Sequence, residues 1–269
     1  MSRACRSAFT CRTASLVAAC AWALLAGLAA PALAQEDGED AAASAEVTLD
    51  VGTNYVWRGL RLSSGVVSQF AANAWFKGVS LGLWSNYDPN EYPKDSGSRK
   101  RITETDLTAS YSHAWGRGTL TGGLIYYGLH GAPDTTELLV GYGLTAPLNP
   151  AATLYVDVGE GDGAFLLLEA SHSLAVSERV PLDVGAEAGF DMNNKVMGTD
   201  EEGRGFTGFY HAELWAETSV GLGRGFAVAG RLAVSFPLGT RAGDMIASSS
   251  YDGATRTCVY GSVGITAGF

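Results

Sequence analysis

Between residues 47 and 269, apolar and polar side chains alternate with a period of two, and the pattern restarts about twelve times. The last segment shows it plainly. Phe269, Ala267, Ile265, Val263 and Val259 lie on one face with Gly261 the one gap, and Gly268, Thr266, Gly264, Ser262 and Tyr260 lie between them. Successive side chains of a strand point to opposite faces, so this segment has an oily and a polar face and stops on an aromatic residue. The same grammar predicts strands over Val47–Trp57, Val66–Phe76, Val79–Tyr87, Ile102–Trp115, Thr119–His130, Thr135–Ala146, Ala151–Gly159, Ala164–Leu174, Pro181–Met192, Phe206–Val220, Phe226–Phe236 and Arg256–Phe269. Each is long enough to cross a bilayer at a tilt.

The connections between them sort by length. Even-numbered ones, such as Lys77-Gly78 and Gly116-Arg117-Gly118, are short. Odd-numbered ones include the long loops Asp88–Arg101, Asn193–Gly205 and Pro237–Thr255. Short turns at one end and long loops at the other characterise an up-and-down barrel in an outer membrane, whereas a soluble sandwich has no reason to alternate them. The fold expected is therefore all-β, a transmembrane antiparallel barrel of about twelve strands, ten or fourteen being the alternatives. Trp57, Phe76, Trp115, Tyr126 and Phe269 fall near strand ends on the oily face, where interfacial aromatic girdles sit.

The N-terminus fits export. Arg3, Arg6 and Arg12 precede an apolar run from Leu16 to Ala30, which ends in Ala32-Leu33-Ala34 before Gln35. This is the layout of a cleaved signal peptide over residues 1–34. A lipoprotein box at Val17-Ala18-Ala19-Cys20 is the competitor, but processing there would leave the apolar run Ala21–Ala30 on the mature chain. Residues 35–45 read as a flexible periplasmic lead-in, and 46–269 as the barrel, with both termini periplasmic.

Loss of residues 1–34 would take three arginines and no acid, leaving 15 basic and 28 acidic residues. Such a balance argues against nucleic acid and against anionic lipid as a docking surface. Only Cys258 remains after the leader, so no internal disulfide can form, and Cys258 reads as a small strand residue.

The alternation also sorts charges. With the apolar residues facing lipid, Asp50, Glu104, Asp106, Glu137, Asp157, Glu169, Asp183, Glu187, Asp191, His211, Glu213 and Glu217 face inward. The clear basic counterpart inside a strand is Arg231, with Glu213 or Glu217 on the preceding strand as expected partners. An acidic lining implies a water-filled lumen that favours small cationic or neutral solutes, although inward Trp75, Trp84, Tyr155 and Trp215 are bulky enough to block it.

Several segments carry a resemblance. Asn54-Tyr55-Val56-Trp57-Arg58-Gly59-Leu60-Arg61-Leu62 resembles the opening motif of the TorF-type porin family of bacterial outer-membrane proteins. Leu154-Tyr155-Val156-Asp157, Gly159-Glu160-Gly161-Asp162-Gly163 and Ser171-His172-Ser173-Leu174 are similar to a later part of it. The resemblance implies an exported barrel with a transport role. The loop around Arg99 and the loop Pro237–Thr255 have no counterpart in it.

The expectation is thus a diffusion porin with lipid and small solutes as its partners, and with no cofactor or metal. Its rivals are a structural or partner-binding barrel and a barrel-embedded hydrolase. Against the last, His172 and its neighbours Ser171 and Ser173 point to opposite faces, and the same-face pair His211 and Glu213 is one acid–base pair without a nucleophile. No metal-ligand spacing or phosphate-binding loop is evident.

Overall fold

The structure is a computed structural model that describes residues 43–63, 65–90, 101–177 and 180–269. The expected signal peptide, all but the last residues of the lead-in, and Arg99 and Lys100 lie outside the described residues.

Twelve strands close an antiparallel barrel. They are β1 (Ser44–Gly52), β4 (Val67–Phe76), β5 (Val79–Asp88), β6 (Arg101–Trp115), β7 (Gly118–Leu129), β8 (Thr135–Leu144), β9 (Ala151–Asp157), β10 (Ala164–Ala175), β11 (Pro181–Met192), β12 (Thr207–Gly223), β13 (Phe226–Pro237) and β14 (Cys258–Gly268). Two further strands, β2 (Val56–Trp57) and β3 (Leu60–Arg61), form a separate hairpin between β1 and β4.

Each wall strand pairs with its sequence neighbours, and β1 closes the ring on β14. Val47, Leu49 and Val51 oppose Ala267, Ile265 and Val263 across that seam. Its last rung is the chain terminus. Phe269 N–H donates to the Ala45 carbonyl at 2.8 Å, and Ala45 N–H donates back to the Phe269 carbonyl at 3.1 Å.

The outer face is apolar and exposed over the whole belt, with Leu81, Leu107, Val140, Leu214, Leu232 and Val263 among its members. Leaving such a side chain in water forgoes about 1.5–3 kcal/mol. A belt of them is stable in lipid, and no helix among the described residues is long and apolar enough to cross a membrane. Phe76, Trp115, Tyr126 and Phe269 are exposed near strand ends, as a girdle requires.

Trp57 is a correction, for it lies inside the barrel. The strand expected over Val47–Trp57 stops at Gly52, and the following residues turn into the lumen as the inner hairpin. Arg58 (φ 47°) and Gly59 (φ 86°) both sit in the left-handed region at its tip, the backbone of a tight hairpin turn. Tyr55 and Leu62 close its base, with Leu62 N–H on the Tyr55 carbonyl at 2.8 Å. A β-carbon on Gly59 would come within 2.9 Å of His211 Cβ on β12, so the tip reaches the opposite wall and needs glycine there. Alternation alone cannot distinguish an oily face turned to lipid from one turned to a plug.

The loop after β13 holds a second correction. Where an irregular loop over Pro237–Thr255 is expected, Thr240–Ser249 form a helix, α1, with Ala242, Gly243, Ile246 and Ala247 buried on one side. A 3-10 turn, Lys195–Met197, follows β11. The hairpin, the turn and α1 all lie at the long-loop end. There Leu60, Met197, Ala242 and Ile246 pack with the inward wall residues Ile125, Tyr127, Leu139, Tyr155, Phe165 and Tyr210 into one apolar core.

Candidate functional site: the barrel lumen

Along the wall, the charged residues expected to face inward are buried or partly buried. Asp50 is buried between lipid-exposed Leu49 and Val51, and Glu213 is buried beside exposed Leu214. Glu104, Asp106, Glu137, Asp157, Asp191, His211, Glu217 and Arg231 are buried likewise, while Glu169, Asp183 and Glu187 are partly buried. Among the described residues ten acids are buried, against two arginines.

Cross-strand register gathers some of these groups. Glu169, Glu187 and Glu213 stand directly opposite one another on β10, β11 and β12. Asp183, Glu217 and Arg231 form a parallel row on β11, β12 and β13. Like charges in direct cross-strand contact repel, so each row needs a counter-charge. Arg231 supplies it, donating to Glu213 Oε1 at 2.9 Å and to Glu217 Oε2 at 3.5 Å, with its guanidinium 4.7 Å from the Trp215 ring centre. Tyr260 donates a 2.5 Å hydrogen bond to the other Glu213 oxygen. The partners expected for Arg231 are thus the partners found.

His211 differs from expectation. Its Nε2 lies 3.0 Å from Glu187 Oε1, not on Glu213, and its fully buried ring stacks on Phe165.

The second centre is Glu137, and its partner comes from the inner hairpin. Arg58 grips it through two hydrogen bonds of 2.7 and 2.8 Å, and Tyr127 donates a third at 2.8 Å. The guanidinium also lies 4.4–4.6 Å from the ring centres of Trp57, Tyr155 and Phe165. A paired, ring-stacked arginine is the form in which a buried cation is tolerable. The strand expected over Val47–Trp57 ends just before Arg58, and alternation along it gives no hint of a contact with Glu137. The left-handed turn signal of Arg58-Gly59 was the available clue.

Two inward acids organise loops. Asp157 accepts from the Thr135 hydroxyl at 2.7 Å and from the amides of Gly159 and Gly161 at 2.8 and 2.9 Å. Asp191 accepts from the Asn194 amide at 2.9 Å and so shapes the turn before Lys195. Glu104 and Asp106 lie near Tyr55 under the hairpin, and Asp50 fills the space left by Gly264, where a β-carbon would strike its carboxylate.

At the long-loop rim the carboxylates stay ionised well below neutral pH. Asp252 is lowered to about 2 by the Thr255 hydroxyl and nearby amides, with Arg61 adding to it. Asp200 is lowered by hydrogen bonds from Arg204, and Asp162 by its bond from Lys195. Among the described residues, no group of three or more His, Cys, Asp or Glu is arranged to hold a metal ion. The described residues enclose at least two cavities. One of about 30 Å³ touches Arg58, Glu187, Glu213 and Arg231. The other, about 230 Å³, lies under the hairpin near Glu104.

No protein-family model and no curated protein matches the chain. Solved structures do. The NanC porin aligns with a TM-score of 0.55 at 9% identity, over 82% of this chain and 98% of its own. An outer-membrane channel from Pseudomonas putida F1 aligns at 0.49 and 10% identity, over 84% and 95%. The KdgM porin, solved in complex with disordered oligogalacturonate, aligns at 0.47 and 10% identity, over 84% and 99%. The likeness to the NanC porin is one of fold: both are outer-membrane-type barrels.

Proposed function

We propose that the chain is a porin-type channel of the bacterial outer membrane, with both termini periplasmic, that passes small cationic or neutral solutes by diffusion. One observation carries this reading. The lumen holds far more buried acids than arginines, and the rows Glu169–Glu187–Glu213 and Asp183–Glu217 share Arg231. Burying an unpaired carboxylate in a dry interior costs several kcal/mol per ion even after relaxation. Twelve strands are wide enough to admit water, and water or passing cations relieve that cost. The narrower kinship with TorF-type porins belongs to this proposal and leans on Asn54–Leu62, the segment that forms the inner hairpin.

The hydrolase reading loses ground. The His211 ring is fully buried against Glu187 and Phe165, out of reach of a lipid or peptide bond. A structural or partner-binding barrel is the competing reading, favoured by the apolar core that stoppers the long-loop end.

Planar-bilayer recording on refolded protein separates them. A current that reverses on the cation side in a salt gradient is the expected result, with selectivity weakening as salt rises. Replacing Asp183 and Glu187 together by Asn and Gln should reduce the reversal potential by about half, because Glu169, Glu213 and Glu217 remain. Anion selectivity would reject the charge argument, and a barrel that never conducts would return the choice to the structural role.

A further inference from the structure

The cavity of about 230 Å³ at the long-loop end lies between the inner hairpin and the wall strands β6, β7 and β8. We infer that it is a binding site for a small organic monocation, an ammonium group on a compact apolar body.

Size is the first argument. Water occupies about 30 Å³ in the liquid, so the space is that of about eight waters. The walls are the second. Tyr55, Trp57, Leu60 and Leu62 line the hairpin side, and Tyr127 and Glu104 the barrel side. Glu137 and Asp157 line it as well. Aromatic faces beside a carboxylate make up the chemistry that holds an organic cation.

The third argument is that one carboxylate inside has no counter-charge. Glu137 is taken by Arg58 and Tyr127, and Asp157 by Thr135 and two loop amides. Glu104 is buried, and among the described residues no arginine or lysine pairs with it; its polar neighbours are Tyr55 and Asp106, neither of which brings a positive charge. A ligand ammonium beside Glu104 supplies the missing charge.

Arg58 is the internal precedent. On the neighbouring side of Trp57 this same interior holds a guanidinium over three rings with a bidentate carboxylate. At the His130 edge of the cavity Arg101 stands against that ring. With Glu137 and Asp157 already engaged, one carboxylate is left for a ligand, so a monocation with an apolar body fits.

The inference deepens the channel reading by naming a solute class, but its test needs no current. Full-length protein refolded in detergent is titrated with phenethylammonium chloride, 2-phenylethanol and sodium phenylacetate, followed by calorimetry and tryptophan fluorescence. Saturable binding of the ammonium, about tenfold tighter than the alcohol, is expected, with the carboxylate not binding. Glu104→Gln should erase the ammonium's advantage while leaving alcohol binding unchanged, and Glu104→Asp should keep it. Equal affinity for ammonium and alcohol, no saturable binding, or an advantage that survives Glu104→Gln would each overturn the site. Should Glu104→Gln fail to fold, the wild-type ranking of the three probes decides alone. A barrel that binds but never conducts loses the channel and keeps the site; one that conducts without this preference loses only the site.

Discussion

The two ends of the barrel interior are built by different rules. At the turn end the wall closes on itself, with pairs such as Thr48 and Thr266 joined by a 3.0 Å hydrogen bond, and the seam ends at Ala45 and Phe269. At the long-loop end the lumen is filled like a soluble core, by a hairpin, a 3-10 turn and a helix packed on aromatic wall residues. The buried arginines repeat the contrast. Arg231 rises from the wall and faces acids on the next strand, whereas Arg58 arrives on a loop and faces Glu137, 79 residues away. The wall is an integral closed ladder. The plug is a separate layer held by a few specific contacts, so damage to one need not be damage to the other.

Deleting Phe269 should give the largest effect. It removes both hydrogen bonds of the last seam rung and the exposed girdle aromatic. Unpaired backbone groups in lipid cost on the order of several kcal/mol each, so outer-membrane assembly should collapse. Normal heat-modifiable protein in the outer membrane after the deletion would show that the seam does not depend on its terminus.

Replacing residues 54–63 by a Gly-Ser linker attacks the other end. The barrel should still assemble and show the gel shift of unboiled protein, while single-channel conductance rises severalfold. An unchanged conductance would mean that the hairpin does not restrict the path, and a failed barrel would mean that plug and wall are one cooperative unit.

A third comparison sets Arg58→Ala against Arg231→Ala. Removing Arg58 leaves Glu137 a buried carboxylate with no cation and only the Tyr127 bond close to it, which costs about 3–5 kcal/mol of plug docking and should appear as faster amide exchange over residues 55–62. Arg58→Met with Glu137→Leu should recover much of it, since an apolar pair of similar volume is often neutral. Arg231→Ala should cost the plug less, because Arg231 joins wall strand to wall strand and makes no ion pair with the hairpin. Equal losses would erase the distinction between the two ends.

The smallest effect concerns the clasp between the hairpin and the loop after α1. Arg61 Nη1 lies 3.3 Å from Asp252, and the Tyr251 amide donates to the Arg61 carbonyl at 2.7 Å. The Asp252 carboxyl is depressed to about 2 in the folded protein. Its contribution is therefore full above the unfolded value of about 4 and fades as pH falls through about 2. The pair is substantially solvated, so the change is slight. Amide protection at residues 251–255, taken relative to the intrinsic exchange rate at each pH, should be unaltered between pH 7 and 5, with loosening only at strongly acid pH. Loosening already at pH 5 would contradict the hydrogen-bond pattern at Asp252.

Much of the wall was readable beforehand. The segment expected over Val79–Tyr87 is β5, and Pro181–Met192 is β11, because turn residues bracket an unbroken alternation there. Arg231 with Glu213 and Glu217 was readable too, since neighbouring strands of an up-and-down barrel are neighbours in sequence. What escaped was the contents of the lumen. Trp57 was assigned to the girdle and belongs to the plug; Thr240–Ser249 was assigned to a loop and is a helix; His211 meets Glu187 across the ladder.

The sequence by itself determined a closed wall with an oily and an acidic face, because a two-residue period is a local property that each strand declares alone. Only the tertiary structure decided which side the apolar residues of the first long connection would face. Tyr55 and Trp57 continue the alternation of Val47, Leu49 and Val51 as well as any lipid-facing pair, and the sequence holds no record of distance across a lumen. Once the wall closes, Glu137, Tyr155 and Phe165 converge from three strands on one point, and Arg58 finds there a charge partner and aromatic faces that no local pattern could announce.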